Sequence, residues 1–266
     1  MLTDCHRHWA VNNQADFVKD IINQMDSDNI SRTVLFGYNG LRFNKTEHSQ
    51  DIAVIDAFKA EPFRIIPFLC DFNFDEVGLA YVTKHLSEGV FKGIGEILLG
   101  HSTVRKSAFP NVFYDSKEAK RIFHAVAEFS VPILVHVDPP FIENFCRLLE
   151  SCPQGKFIWA HCAYDFTLPF GGKEKSPKWL EALLTRHENL MFDISMWKIS
   201  PLYLIDEKWL RLLESHSDRF LFGTDMTGPY TLQSVWMRSY EFILRSLSTE
   251  AICRIGYENL IGLIKK

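Results

Sequence analysis

The sequence predicts a closed barrel of eight parallel strands wrapped by helices, a single-domain α/β fold of the (β/α)8 or TIM-barrel class over residues 1–266. Three observations predict it. Eight short apolar, β-rich runs alternate with longer stretches of helical spacing, which argues for a parallel sheet. The chain has 266 residues, a length at which such barrels form one domain. No glycine-rich phosphate loop follows the first run, which counts against an open dinucleotide-binding sheet, the remaining alternative.

The strand-like runs fall at residues 2–5, 32–37, 63–70, 90–97, 131–138, 156–163, 190–195 and 220–225. The first is followed by residues 16–28, where Phe17, Ile21, Ile22 and Met25 share one helical face. Helical spacing returns at 50–59 through Ile52, Ile55 and Phe58, and again at 74–87. After the fourth run, residues 98–115 are rich in small and polar side chains and too long for a simple turn, so they read as a lid or binding loop. Ser116 then reads as an N-cap for a helix that presents Ala119, Ile122, Phe123 and Val126 on one face. Pro139 and Pro140 stop the fifth run before a short helix at 141–150. A second long loop spans 164–176, and Pro177 starts a helix to 187. Helices at 206–215, 232–247 and 250–265 complete the pattern.

Hydrophobic residues make up 47% of the chain, enough for a large core. The net charge of −4 disfavours nucleic acid as the main partner. The six cysteines, at 5, 70, 146, 152, 162 and 253, contain no Cys-x-x-Cys pair, so they read as reduced thiols of a cytoplasmic protein. Polar residues begin at position 3, against a signal peptide, and no run of eighteen apolar residues predicts a membrane span. Homo-oligomerisation stays open.

The chemistry is concentrated at the ends of the apolar runs. In Asp4-Cys-His6-Arg-His8 the period of two puts Asp4, His6 and His8 on one strand face. Paired imidazoles at a strand end make half of a metal site. Glu96 ends the fourth run, His136 the fifth, His161 the sixth and Asp225 the eighth. In a barrel those ends converge on the face where active sites are built. Each residue alone has a plainer explanation: a buried histidine for His136, a pairing with Lys92 or Arg105 for Glu96, a helix cap for Asp225. Their joint placement is far harder to reach by chance. Trp9, Phe72, Arg105, Tyr164 and Trp197 also follow strand ends and are the candidates for contact with a small-molecule substrate, the aromatics as apolar walls and Arg105 as a clamp on a carboxylate or phosphate. Asp71 and Asp138 either orient histidines or cap helices.

The pattern resembles the metal-dependent hydrolases of the amidohydrolase superfamily, in the branch called amidohydrolase family 2. The likeness covers strand order along the whole chain. It is specific at Asp4-Cys-His6-Arg-His8, Val135-His136, Ala160-His161, Phe222-Gly-Thr-Asp225 and the tail Gly256-Tyr-Glu-Asn259-Leu-Ile-Gly262. It implies one or two divalent metals, with zinc the default, and hydrolysis of an amide, lactone, ester or phosphoester or, in some relatives, non-oxidative decarboxylation. It implies metal-ligand roles for His6, His8, His136 and Asp225, and makes His161 either a second-metal ligand or the group that polarises the substrate. Ile94-Gly-Glu96-Ile is also similar to the fourth strand of TatD-like hydrolases, in which a glutamate bridges two metals. If Glu96 bridges, His6, His8 and Asp225 hold one ion, and His136 and His161 the other. If it does not, the site is mononuclear. In either case Asp225 would be the general base and, with His161, a catalytic residue. A barrel that binds metal without turnover is the reading outside enzymes. The free general base counts against it, because purely structural metal sites are usually closed.

Overall fold

The computed structural model describes residues 2–9, 14–39, 48–102, 104, 108–163, 176–195, 207–227 and 233–265. The strands are β1 Leu2–Asp4, β2 Ile30–Leu35, β3 Ile65–Pro67, β4 Ile94–Gly100, β5 Pro132–Val137, β6 Lys156–Trp159, β7 Leu190–Asp193 and β8 Phe220–Leu221. The helices are α1 Gln14–Ser27, α2 Ser49–Ala60, α3 Glu76–Ser87, α4 Lys117–Glu128, α5 Ile142–Ser151, α6 Pro177–Arg186, α7 Glu207–Ser215, α8 Gln233–Arg245, α9 Thr249–Cys253 and α10 Asn259–Ile264. Strands pair in chain order, β1-β2-β3 and β4-β5-β6-β7-β8, and every pair is parallel. Backbone bonds then join the two groups. Between β3 and β4, Leu69 N–H donates to the Gly93 carbonyl and Gly95 N–H to that of Leu69. Between β8 and β1, Cys5 N–H donates to Phe222 and His8 N–H to Met226. The sheet closes on itself, as the alternation predicts.

Closure splits the apolar residues by parity. Val34, Phe36, Ile66, Phe68, Leu134, Ile158 and Leu221 form the interior cluster. Their chain neighbours Leu35, Ile65, Leu69, Ile133, Val135, Phe157, Trp159 and Phe220 pack in the larger cluster between strands and helices. This is the two-faced alternation of a strand whose two faces are both covered. His136, two residues after Leu134, keeps its inward parity. The helix starts follow their caps. The Ser116 hydroxyl accepts from Ala119 N–H, an interaction worth about 1 kcal/mol, and Pro177 occupies the first turn of α6. No described helix is long and apolar enough to cross a membrane.

Three local differences from the sequence expectation bear on the site. The fourth strand starts and ends later, so Glu96 is its third residue rather than its end. Residues Ile97, Leu98 and Leu99 continue the strand as a buried run, and the register to β5 shifts on both sides of Ile97. The sixth and eighth strands stop earlier, which places His161 and Asp225 on the connections after them. The backbone there is left-handed, with φ of 61°, 49° and 58° at His161, Cys162 and Ala163 and 54° at Asp225. Such residues cost about 1 kcal/mol or more each and persist where surrounding bonds hold them. His161 N–H donates to Asp193 Oδ1 at 2.9 Å and Asp225 N–H to the His6 carbonyl at 2.7 Å. The last predicted helix is interrupted by a wide π turn at Arg254–Glu258. It brings the Ile255 carbonyl to Phe222 N–H and Gly256 against Leu2, where a Cβ would lie 2.9 Å from Leu2 Cδ2.

Candidate metal centre

Four imidazoles and two carboxylates meet at the C-terminal mouth of the barrel. His6 and His8 come from the segment after β1, Glu96 from β4, His136 from β5, His161 from the turn after β6 and Asp225 from the segment after β8. The Nε2 atoms of His6 and His8 are 3.3 Å apart. Asp225 Oδ1 lies 3.2 Å from each of them. Glu96 Oε2 lies 3.6 Å from His6 Nε2 and 3.3 Å from His8 Nε2. On the other side, Glu96 Oε1 lies 3.2 Å from His136 Nδ1 and 3.5 Å from His161 Nε2.

The groups behind each ring decide which nitrogen carries its proton. His8 Nδ1 is 3.0 Å from the Gly37 carbonyl, which can only accept, so Nδ1 is the donor. His6 Nδ1 donates to Asp193 Oδ2 at 2.8 Å, and His136 Nε2 to Asp138 Oδ1 at 2.9 Å. The one proton of the Ser195 hydroxyl goes to Asp193 Oδ1, so Ser195 Oγ accepts from His161 Nδ1 at 2.9 Å. Each neutral ring therefore turns a lone pair toward the centre. Four lone pairs and two carboxylates face one another with no donor among them, which only positive charge can stabilise. Donors backed by a carboxylate or carbonyl are the arrangement that metal-binding histidines use.

The spacing also fits a cation. Tetrahedral ligands at zinc distances would stand about 3.3 Å from one another, and the five measured separations among His6, His8, Asp225 and Glu96 Oε2 run from 3.2 to 3.6 Å. Two triads, His6–His8–Asp225 and His6–Glu96–His161, each hold donor atoms within 4.8 Å of one another. His136 lies outside both triads and reaches the centre through Glu96 Oε1.

With no ion at the centre, protons supply that positive charge instead, because the carboxylates favour the charged form of the rings. Burial alone would lower the pKa of His6, yet Asp193, Asp225 and Glu96 together raise it well above its ordinary value. His8 is raised against burial by Asp225 and Glu96. His136 is lifted to about 9, with burial opposed by hydrogen bonds to Asp138 and Glu96. Burial would raise Asp225 and Glu96, but the surrounding histidines hold both well below the carboxylate range. Asp138 falls to about 2, burial being outweighed by His136 and Ser102.

Some predicted residues take other places. Trp9 is 6% exposed and packs edge-on against Phe17 of α1, in the layer between strands and helices. Phe72 is 3% exposed and packs on Phe74. Both pack within the larger core cluster. Arg105, Tyr164 and Trp197 lie outside the described residues. Asp71 caps α2 through Gln50 N–H at 3.4 Å, while Asp138 orients His136. Asp4 orients no ring. It accepts from the backbone N–H groups of His6 and Thr224 and from the Thr224 hydroxyl, stitching β1 to the Asp225 segment. Asp193 and Ser195, which hold His6 and His161, are not among the candidates of the sequence, although Asp193 ends β7.

The model of amidohydrolase family 2, described as Amidohydrolase, matches residues 3–259. The chain belongs to amidohydrolase family 2. No curated protein matches it by sequence. Among solved structures, a TIM-barrel protein from Bordetella bronchiseptica superposes with a TM-score of 0.70 at 13% identity, covering 100% of this chain and 99% of that one. A dihydroxybenzoic acid decarboxylase from Polaromonas, with bound manganese and the inhibitor 2-nitroresorcinol, gives 0.66 at 16% identity, covering 99% and 96%. A probable 2-pyrone-4,6-dicarboxylic acid hydrolase from Acinetobacter baumannii, with citric acid bound, gives 0.61 at 13% identity, covering 99% and 98%. At these identities the likeness shows the shared barrel, and the amidohydrolase scaffold carries both decarboxylases and hydrolases.

Proposed function

We propose that this family member is a metal-dependent hydrolase of a small-molecule amide, lactone, ester or phosphoester, working with two divalent cations. The observation that carries the reading is the placement of Glu96. Its Oε2 faces the His6 and His8 lone pairs, and its Oε1 faces those of His136 and His161. A carboxylate so placed offers one oxygen to each of two ions. His6, His8 and Asp225 would complete one set, and His136 and His161 the other. Zinc suits these ligands, and manganese, iron or nickel would accept them.

When bound, such ions polarise a substrate oxygen and bring the pKa of water toward about 7. The side chains do the rest. The Asp225 side chain is 19% exposed against 4% for Glu96, so Asp225 is the carboxylate that meets water and substrate. Its Oδ1 is directed at His6 and His8, and its Oδ2 lies 4.0 Å from His161 Nε2. Asp225 takes a proton from the attacking water at Oδ2 and returns it to the leaving group. Ser195 keeps the inward nitrogen of His161 unprotonated, which suits a ligand. The net charge of −4 favours a small-molecule substrate over nucleic acid.

The manganese-holding decarboxylase of the same fold supports a second reading, decarboxylation of an aromatic or unsaturated acid. Metal content per chain, measured by elemental mass spectrometry on protein purified without chelator or histidine tag, tests the first. About two equivalents are expected. About one would favour a single ion and decarboxylation. None, after zinc or manganese is added back, would remove the metal reading. Carbon dioxide released from a panel of carboxylates would replace hydrolysis by the second reading. Asp225→Asn should abolish turnover in either case while the protein stays folded.

A further inference from the structure

His8, like His161, has no carboxylate behind its ring. His6 and His136 are backed by carboxylates, whose charge-assisted bonds set ring direction strongly. His8 has only the neutral Gly37 carbonyl behind Nδ1. One hydrogen bond leaves a ring free to pivot about it, so the plane of the imidazole has to be set by packing.

Three consecutive residues after β2 provide that packing. The Phe36 ring meets His8 edge-on at 4.7 Å and 79°. Gly37 supplies the carbonyl. The Tyr38 ring lies flat on the imidazole, 4.1 Å between centroids and 8° from parallel. Tyr38 is in turn fixed from α2. Gln50 Oε1 accepts from Tyr38 N–H at 2.7 Å, and Gln50 Nε2 donates to the Tyr38 carbonyl at 3.2 Å. The amide thus grips both backbone groups of one residue. Gly37 is part of the fit, because a Cβ there would sit 2.5 Å from Gln50 Oε1. Gln50 is buried in the first turn of α2, with its N–H on Asp71 Oδ2. The Tyr38 side chain also bonds that of Thr227, two residues past Asp225, so it spans the strands that carry two of the candidate ligands.

We propose that Tyr38, gripped by Gln50, is the positioning residue that sets the ring plane of the metal ligand His8. The inference rests on the metal reading above. The stacked ring, more than the hydroxyl, does the positioning.

Cobalt(II) titration of metal-free protein tests it, with affinity read by chelator competition and ligand geometry by visible absorption. Tyr38→Leu removes the stack and should weaken Co2+ binding about tenfold or more, with altered bands. Tyr38→Phe keeps the ring and should restore both affinity and bands. Gln50→Ala leaves the ring but frees the backbone, and should weaken binding in the same direction, so the test survives if the leucine variant fails to fold. Wild-type affinity and bands in folded Tyr38→Leu, or in Gln50→Ala, would overturn the proposal. Equal losses in the phenylalanine and leucine variants would move the role to the hydroxyl and also overturn it. A wild-type protein that takes up no Co2+ would be a different failure, removing the metal reading and the positioning role with it.

Discussion

Asp193→Asn gives the sharpest test of how the centre is held. Asp193 Oδ1 accepts from His161 N–H and Ser195 N–H, each at 2.9 Å, and from the Ser195 hydroxyl. Asp193 Oδ2 accepts from His6 Nδ1 at 2.8 Å. Three donors at Oδ1 force an asparagine to place its oxygen there. Its NH2 group must then face His6 Nδ1, where donor would meet donor. His6 can answer by moving its proton to Nε2, which turns an N–H toward Asp225 and Glu96 in place of a lone pair. A lost hydrogen bond to a charged group is worth about 1.5–3 kcal/mol, or about 10- to 100-fold in affinity, the range seen when partners behind metal ligands are removed. The backbone donors keep their acceptor, so the metal-free protein should lose no more than that one bond, about 1.5–3 kcal/mol of stability. Zinc affinity by chelator competition and urea unfolding of the metal-free protein measure the two effects separately. Zinc affinity within about threefold of wild type would refute the tautomer argument. A large loss of stability with unchanged affinity would make Asp193 a structural carboxylate only.

Three further outcomes are expected of the same fold. Glu96→Gln offers one carbonyl oxygen in place of two, so bound metal should fall from about two to about one per chain; unchanged stoichiometry by elemental mass spectrometry would remove the bridge. Asp51 is 2% exposed, and burial pushes its carboxyl up to about 7 despite hydrogen bonds from Cys70 and Asp71 N–H and from Tyr81. Because the folded pKa exceeds the unfolded one, its stabilising contribution is complete below about pH 4 and is lost as pH rises toward 7. Asp51→Asn cannot titrate, so the fall in stability between pH 5 and 8, measured by urea unfolding, should shrink by about 2 kcal/mol; an unchanged slope would place the Asp51 pKa near its ordinary value. Asn259 Nδ2 donates to the Ser217 and Phe220 carbonyls at 2.7 and 2.8 Å, tying the last helix to the start of β8. Asn259→Ala should cost about 1–3 kcal/mol, seen as a lower urea midpoint with unchanged slope, and a wild-type midpoint would show that water replaces both bonds.

The barrel was legible because its strands are covered on both faces and so appear as short apolar runs between amphipathic stretches. The candidate ligands were legible because binding a cation restricts residue type: six positions at or beside strand ends are histidine or a carboxylate. What supports them has no such restriction. His6 is backed by a carboxylate, His8 by a peptide carbonyl and His161 by a hydroxyl, because any acceptor fixes a tautomer equally well. Asp193 therefore reads as one more polar residue within a run, its histidine partners being 187 and 32 positions away. The places of Trp9 and Phe72 were less legible. Trp9 follows His8 by one residue, so alternation turns it away from the face that His6 and His8 share, and Phe72 lies past the end of β3, where strand alternation no longer applies. The Gln50 grip on Tyr38 lies further from view, since it is made to backbone groups that every residue shares. Residue type thus announces the atoms that touch a cation, whereas the direction of each lone pair is set by neighbours whose identity is free to vary. The tautomer-shifting variant at Asp193 and the stacking variants at Tyr38 address that second layer, which no motif could have named.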